Sequence, residues 1–157
     1  SSVGGMGDGE LLADALVAGA VAALASGVPS TLHAILSGID PLEASLAAGT
    51  LLLPHERRAS RLLPAAMTAH AGLSLGWSIV LAKSLPRRRA LPWSVLAGLG
   101  IAALDLGVVG RRFPRLRALA LLPQVLDHVA YATTVACVLS RRRSRRTSWQ
   151  AAPRPLG

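Results

Sequence analysis

The sequence is poor in the residues on which many soluble binding and redox proteins depend. Its 157 residues include one cysteine, one phenylalanine and one tyrosine, and only 16% are charged. The single thiol, Cys137, excludes an internal disulfide and a CxxC metal or redox pair. The scarcity of aromatic rings for base stacking argues that the net charge of +9 does not indicate nucleic-acid binding.

Motifs of the common enzyme classes are also missing. The chain contains no hydrolase nucleophile elbow, zinc-protease, phosphate-loop or dinucleotide-binding motif. The sequence therefore favours a non-enzymatic function over catalysis.

Long apolar runs dominate what is present. Hydrophobic residues make up 52% of the chain, and its mean hydropathy is +0.46. A helix needs roughly 20 apolar residues to cross the hydrocarbon layer of a bilayer. Four runs of this size predict an all-α polytopic membrane protein with transmembrane helices at about 11–35, 64–85, 91–110 and 123–139. Pro29 removes one backbone donor and is expected to kink the first span or end its regular part near Gly27.

A fifth, shorter helix is predicted between the first two spans. Asp40, Pro41 and Glu43 form a typical helix start, and Pro54 ends the segment 41–53. At about 20 Å this helix is too short to cross the bilayer, so we expect it at the membrane interface, with a re-entrant position as the alternative. Residues 1–10 and 140–157 are expected to be disordered.

The Lys and Arg residues lie between the apolar runs, at their ends or beyond them. Four crossings place ten Lys and Arg on the side of both termini and seven on the other side, which predicts cytoplasmic termini. The Arg-rich composition is typical of a high-GC bacterium, and hence of a location in the bacterial inner membrane. We expect the C-terminal arginines to contact anionic lipid headgroups: Arg141, Arg142, Arg143, Arg145 and Arg146.

Several polar residues are predicted to share one depth near the non-cytoplasmic face. His70 and His128 follow the starts of two parallel spans by six and five residues, so both lie roughly 8 to 9 Å inside the same boundary. Burying ionisable groups in lipid is costly, which favours a shared polar cavity. Its predicted members are His33, His70, Asp105, Gln124, Asp127, His128 and Tyr131. Asp14 is the exception, at the opposite end.

Three hypotheses for this polar layer remain open. The first is proton or small-solute handling by the Asp and His side chains. The second is a haem- or quinone-associated redox anchor, with His70 and His128 as ligands of haem or another metal. The third is a non-catalytic accessory or assembly subunit, in which the polar groups only join helices. Asp127 and His128 point about 100° apart on a helix, so each is expected to contact a different neighbour.

Small residues at a spacing of four indicate close helix packing. They comprise Ala15, Gly19, Ala23 and Gly27 in the first span and Gly72 and Gly76 in the second. Because four short helices can cover only one such face well, a homo-oligomer or a membrane partner protein is also expected.

The segments HAGLSLGWSIVLA, GLGIAALDLGVVG and LDHVAYATTVACVL carry a family resemblance. Together they resemble uncharacterised small four-helix bacterial inner-membrane proteins, in which a histidine opens the second and fourth spans. The resemblance covers roughly residues 11–139 and implies a four-pass protein, with no biochemical activity to transfer. This chain has Ala132 and Ala136 where the family pattern would have glycines.

Overall fold

The computed structural model describes residues 7–150, and every regular element in that range is helical. The helices are α1 (Asp8–Ser26), α2 (Val28–Leu36), α3 (Glu43–Gly49), α4 (Ala59–Ser84), α5 (Ala90–Leu104), α6 (Pro114–Arg117) and α7 (Leu121–Gln150). A π-helical turn, Asp105–Val109, and a 3₁₀ turn, Gly110–Arg112, extend α5.

Four helical stretches are long and apolar enough to cross a membrane, as predicted. They are Asp8–Leu36, Ala59–Ser84, Ala90–Arg112 and Leu121–Arg146. The chain is therefore a multi-pass membrane bundle. We call the end that holds residues 8–14, 83–90 and 140–146 the terminal end, and the end that holds residues 36–61 and 105–128 the loop end.

The first span is broken about two thirds of the way along, towards the loop end. Pro29 lacks a backbone N–H, and α1 ends at Ser26 while α2 begins at Val28. Thr31 N–H still bonds to the carbonyl of Gly27 at 3.1 Å, so the chain continues as a second short helix. At its far end Gly38 takes φ +67°, a left-handed conformation that suits glycine.

Alanine and glycine bring α1 close to its neighbours. Ala15, Ala18 and Ala22 are buried in the core with Leu81, Val135 and Leu139. A Cβ on Gly19 would lie 2.6 Å from Ser78 Oγ, so α1 and α4 are in close contact there. The small-residue face of the first span is predicted to pack against another helix. It does so at Ala15 and Gly19, whereas Gly27 has open space around it.

The second predicted pair of packing glycines faces outward instead. Gly72 and Gly76 are exposed, and a Cβ on either would meet nothing within 4 Å. Close packing occurs at Gly98, where a Cβ would lie 2.7 Å from Val129 Cα and 2.8 Å from the carbonyl oxygen of His128. Gly72 and Gly76 therefore do not pack against another helix within one molecule, and the contact with a second copy or a membrane partner stays a prediction.

Short helices cover the loop end. The predicted helix 41–53 is present as α3, from Glu43 to Gly49, and packs on α4. Arg115, in α6, donates to both carboxylate oxygens of Glu43, at 2.7 and 2.9 Å. This bond lowers the pKa of the Glu43 carboxyl and joins α3 to α6.

Both predicted disordered segments are partly helical. Residues 8–10 form the first turn of α1, and α7 continues past Leu139 to Gln150. The extension of α7 is held by ion pairs to α1, which the basic composition of this segment did not predict. The remainder of each segment, 1–6 and 151–157, lies outside the described residues.

Candidate functional site

Asp105 and His128 form an ion-pairing contact inside the bundle near the loop end. His128 Nε2 lies 3.3 Å from Asp105 Oδ2, and the side chains are 20% and 23% exposed, respectively. Asp105 lies seven residues before Arg112, and His128 seven after Leu121. Both therefore lie about 10 Å inside the same end of their spans.

The contacts of His128 indicate which of its ring nitrogens carries a hydrogen. His128 Nδ1 lies 2.7 Å from the carbonyl oxygen of Gln124, and a carbonyl can only accept, so Nδ1 carries a hydrogen. A hydrogen bond between Nε2 and Oδ2 then needs one more proton between those two atoms. That proton makes either an imidazolium facing a carboxylate or a neutral imidazole facing a carboxylic acid. In both states the pair is neutral overall.

Two backbone features position Asp105 opposite His128. The helix changes from α to π at Asp105, whose carbonyl accepts from Gly110 N–H. Such π turns are rare and are frequent at functional sites. Gly98, two turns earlier, lets the α5 backbone approach the α7 backbone at His128 and Val129.

Asp127 contacts the broken first span instead. Its Oδ1 accepts a hydrogen bond of 3.0 Å from the backbone N–H of Ser30. This N–H lies in the first turn of α2, where helical amides lack internal acceptors. Asp127 thus caps α2 from another helix, and its negative charge suits the positive end of the helix dipole. Asp127 and His128 therefore contact different helices, as their 100° offset predicts.

His70 satisfies the other side of the same break. Its Nε2 lies 2.9 Å from the carbonyl oxygen of Ala23, in the last turn of α1. The Ser26 hydroxyl donates to this oxygen as well, at 3.4 Å. A break in a membrane helix is tolerated where neighbouring groups satisfy the freed backbone atoms, and here α4 and α7 each supply one side chain.

The other predicted cavity residues have separate environments. Tyr131 is buried, and its hydroxyl donates to the carbonyl of Ser74. Gln124 contributes its backbone carbonyl, the acceptor for His128. The His33 side chain is partly exposed and makes no hydrogen bond within the described range 7–150.

The seven residues predicted to share one cavity thus take part in separate local contacts. Asp105 pairs with His128, while Asp127 and His70 both hold the break. Two open surface depressions occur elsewhere, one beside Gly27 on the outer face of α1 and α2, the other beside Pro64 at the start of α4. None of the seven predicted residues lines either depression. A cavity shared by all seven stays a prediction.

The haem hypothesis requires that His70 and His128 direct free ring nitrogens into one space. Each Nε2 instead bonds to a different helix, His70 to α1 and His128 to α5. Nδ1 of His128 is bonded too. Residues 7–150 contain no cluster of three or more His, Cys, Asp or Glu side chains suited to a metal ion. The structure supplies no geometric support for axial ligation by this pair.

A second polar cluster lies at the terminal end. The Asp14 side chain is fully buried, and its Oδ1 accepts from Arg142 Nε at 2.5 Å and from Arg146 at 2.9 Å. Arg146 also contacts Glu10 at 2.9 Å. Two of the arginines predicted to bind lipid therefore form ion pairs within the protein. The one available signal was Asp14 itself, since a buried carboxylate requires a cation.

Comparisons with known proteins found no match, so a functional assignment rests on the side-chain contacts described above. No family model, curated protein or solved structure matches this chain. The resemblance to small four-helix inner-membrane proteins remains a prediction.

Proposed function

We propose that this membrane bundle handles protons at the Asp105–His128 pair near its loop end. One observation carries the proposal: His128 Nε2 faces Asp105 Oδ2 at 3.3 Å while its Nδ1 lies 2.7 Å from the carbonyl oxygen of Gln124. A hydrogen bond between Nε2 and Oδ2 requires one proton shared by the two side chains. Removing that proton leaves a carboxylate facing an unprotonated ring nitrogen, and adding one leaves an imidazolium facing a carboxylic acid. Each change creates net charge within the bilayer.

The position of the pair supports exchange with the loop-end solution. Both side chains are about one-fifth exposed, and about 10 Å of helix separates them from the end of the span. Histidine is the side chain whose protonation changes most readily near neutral pH. Aspartate and histidine at membrane depth also commonly form proton pathways. Within a bundle otherwise rich in Ala and Leu, this pair is the best candidate for such chemistry.

The test is proton flux in liposomes that contain the purified protein and a trapped pH-sensitive dye. After an imposed pH step, we expect faster acidification than in empty liposomes. Asp105→Asn and His128→Gln should each reduce the added flux by roughly tenfold or more, the range for loss of a proton-transferring side chain. Asp40→Asn and His55→Gln are matched controls, since both residues are exposed at the same end, and they should retain the flux.

Three results would contradict the proposal. The first is an unmodified protein that moves no more protons than empty liposomes. The second is full flux in both the Asp105 and His128 variants. The third is an equal loss in the two control variants, which would assign the effect to general damage. Helical circular dichroism of each variant verifies that it is folded.

A further inference from the structure

The terminal end carries far more positive charge than the loop end. Within residues 7–150 it has nine Lys and Arg side chains against three carboxylates, whereas the loop end has seven arginines against five carboxylates. The nine cations are Lys83, Arg87, Arg88, Arg89, Arg141, Arg142, Arg143, Arg145 and Arg146.

The ion pairs divide these cations into two groups. Arg142 and Arg146 lie one helical turn apart on the α7 face that meets α1, and they use Asp14 and Glu10 as partners. Their charge is neutralised within the protein. The third acid at this end, Asp8, is exposed at the start of α1. Cations at this end therefore outnumber carboxylates by six within residues 7–150.

A compact part of that charge lies where α4 meets α5. Arg87, Arg88 and Arg89 are all exposed on the short loop between these helices. Arg143 donates to the carbonyl of Ala82 at 3.3 Å, which holds it beside the end of α4. Both Arg87 and the Asp14 carboxylate are close enough to Arg143 to act on its charge. We call these four arginines the basic rim.

The location of the basic rim indicates what kind of anion it meets. It borders two spanning helices, and the loop within it is too short to leave the headgroup region. Trp93, in the first turn of α5, is 52% exposed, as is common for tryptophan at headgroup depth. Leu91 and Leu96 next to it are exposed apolar side chains that suit acyl chains.

We infer that the basic rim is a binding site for the headgroup of an anionic phospholipid. Arg87, Arg88 and Arg89 are exposed on the loop that joins two spanning helices, and guanidinium groups bind phosphate oxygens well. The site differs from the tail contact expected from the sequence, because it excludes Arg142 and Arg146 and includes the α4–α5 loop. It is independent of the proton pair at the loop end.

Trp93 provides the reporter for a test. In a Trp77→Phe, Trp149→Phe background it is the one remaining tryptophan. The protein is reconstituted in phosphatidylcholine vesicles that contain a fixed fraction of bromine-labelled lipid, either phosphatidylglycerol or phosphatidylcholine. Labelled phosphatidylglycerol should quench Trp93 more strongly, since each basic residue contributes about 1 kcal/mol, or about fivefold local enrichment. The excess should fall at high salt.

Matched variants separate a specific site from overall charge. Changing Arg87, Arg88 and Arg89 to Gln should bring the two quenching levels together, whereas the same three positions changed to Lys should keep much of the difference. A control triple at the loop end, with Arg57, Arg58 and Arg117 changed to Gln, should leave the difference intact. Changing Arg142 and Arg146 to Gln should also leave it intact while lowering thermal stability.

The inference fails if the two labelled lipids quench Trp93 equally in the unmodified background, or if the loop-end triple removes the difference as fully as the rim triple. A selective loss in the Arg142 and Arg146 variant, with the rim triple unaffected, would instead assign lipid binding to the tail. Addition of inorganic phosphate should not remove the difference, because the site is for a lipid headgroup.

Discussion

The carboxylates inside the bundle have different partners at its two ends. At the terminal end a fully buried Asp14 is paired with Arg142 and Arg146, whose guanidinium groups stay protonated at any physiological pH. At the loop end Asp105 meets His128, and imidazole is the side-chain type whose ordinary pKa lies closest to neutral pH. A carboxylate inside the bundle is therefore paired with a permanently charged group at one end and with an imidazole at the other.

The regularity of the helical backbone also differs between the two ends. The terminal halves of the spans are regular α-helix that packs through alanines and Gly19. The loop halves contain the break between α1 and α2 and the π turn at Asp105. Irregular backbone in a membrane is tolerated where protein groups satisfy it, and Asp127 and His70 do this here. Polar side chains at the loop end thus form both the Asp105–His128 contact and the hydrogen bonds that satisfy the break.

The largest expected effect comes from breaking the charged cluster. Asp14→Asn removes the shared partner of two arginines and should lower the free energy of unfolding by about 3 kcal/mol, the range for a buried pair that loses one member. Thermal or denaturant unfolding in detergent micelles measures it. Asp8→Asn, in the exposed first turn of α1, is the control and should change stability little. Equal stability of the two variants would show that the cluster is not structural.

The next effect tests the close approach that positions the proton pair. In Gly98→Ala the new Cβ would meet backbone atoms of His128 and Val129, so α5 must move away, at a cost of about 1 to 3 kcal/mol. Gly76→Ala, at an open position, should be neutral or slightly stabilising. Unfolding free energies of both variants measure the contrast. If the two substitutions behave alike, α5 and α7 do not pack as described.

A smaller effect is expected at the break in the first span. Asp127→Ala removes the acceptor of Ser30 N–H, and loss of such a cap costs about 1 kcal/mol. Amide hydrogen exchange at Ser30 should rise about fivefold. Asp127→Asn keeps an acceptor oxygen and should exchange at an intermediate rate. An exchange rate unchanged by either substitution would mean that Asp127 does not cap α2.

The smallest effect concerns the surface ion pair that joins α3 to α6. Arg115 holds the pKa of Glu43 below its usual value in the folded protein. The contribution of the carboxylate is therefore present above the pKa of the unfolded chain and is lost as pH falls through the folded pKa. Glu43→Gln should lower stability at pH 7 by up to about 1 kcal/mol. The difference from the unmodified protein should vanish in strongly acidic solution. A difference that persists there would have another cause.

Particular residues show how far sequence patterns reach. Apolar run length predicts the four spans because crossing a bilayer sets a length and a composition, and Pro29 predicts the break because proline has no N–H to donate. Equal counts from the span ends place Asp105 and His128 at one depth. Depth does not give the direction in which a side chain points. The sequence therefore could not tell whether His128 contacts Asp105 or His70.

The arginines at the C-terminal end of α7 show what sequence patterns do not predict. A run of arginines and breaker residues predicts a solvated tail, because composition carries no information on long-range partners. Asp14 is more than 120 residues away in the chain, and only the packing of α7 on α1 brings it to Arg142. Gly98 and Gly72 make the same point, since a glycine indicates close packing only when another helix faces it.

The sequence by itself determined that this chain is a helical membrane protein with four crossings and where its first span breaks, because lipid imposes length, apolarity and satisfied backbone groups on any crossing segment. The tertiary structure alone decided which acids meet which bases. Those pairings depend on the rotation and approach of neighbouring helices, which are set by side-chain packing between segments distant in the chain.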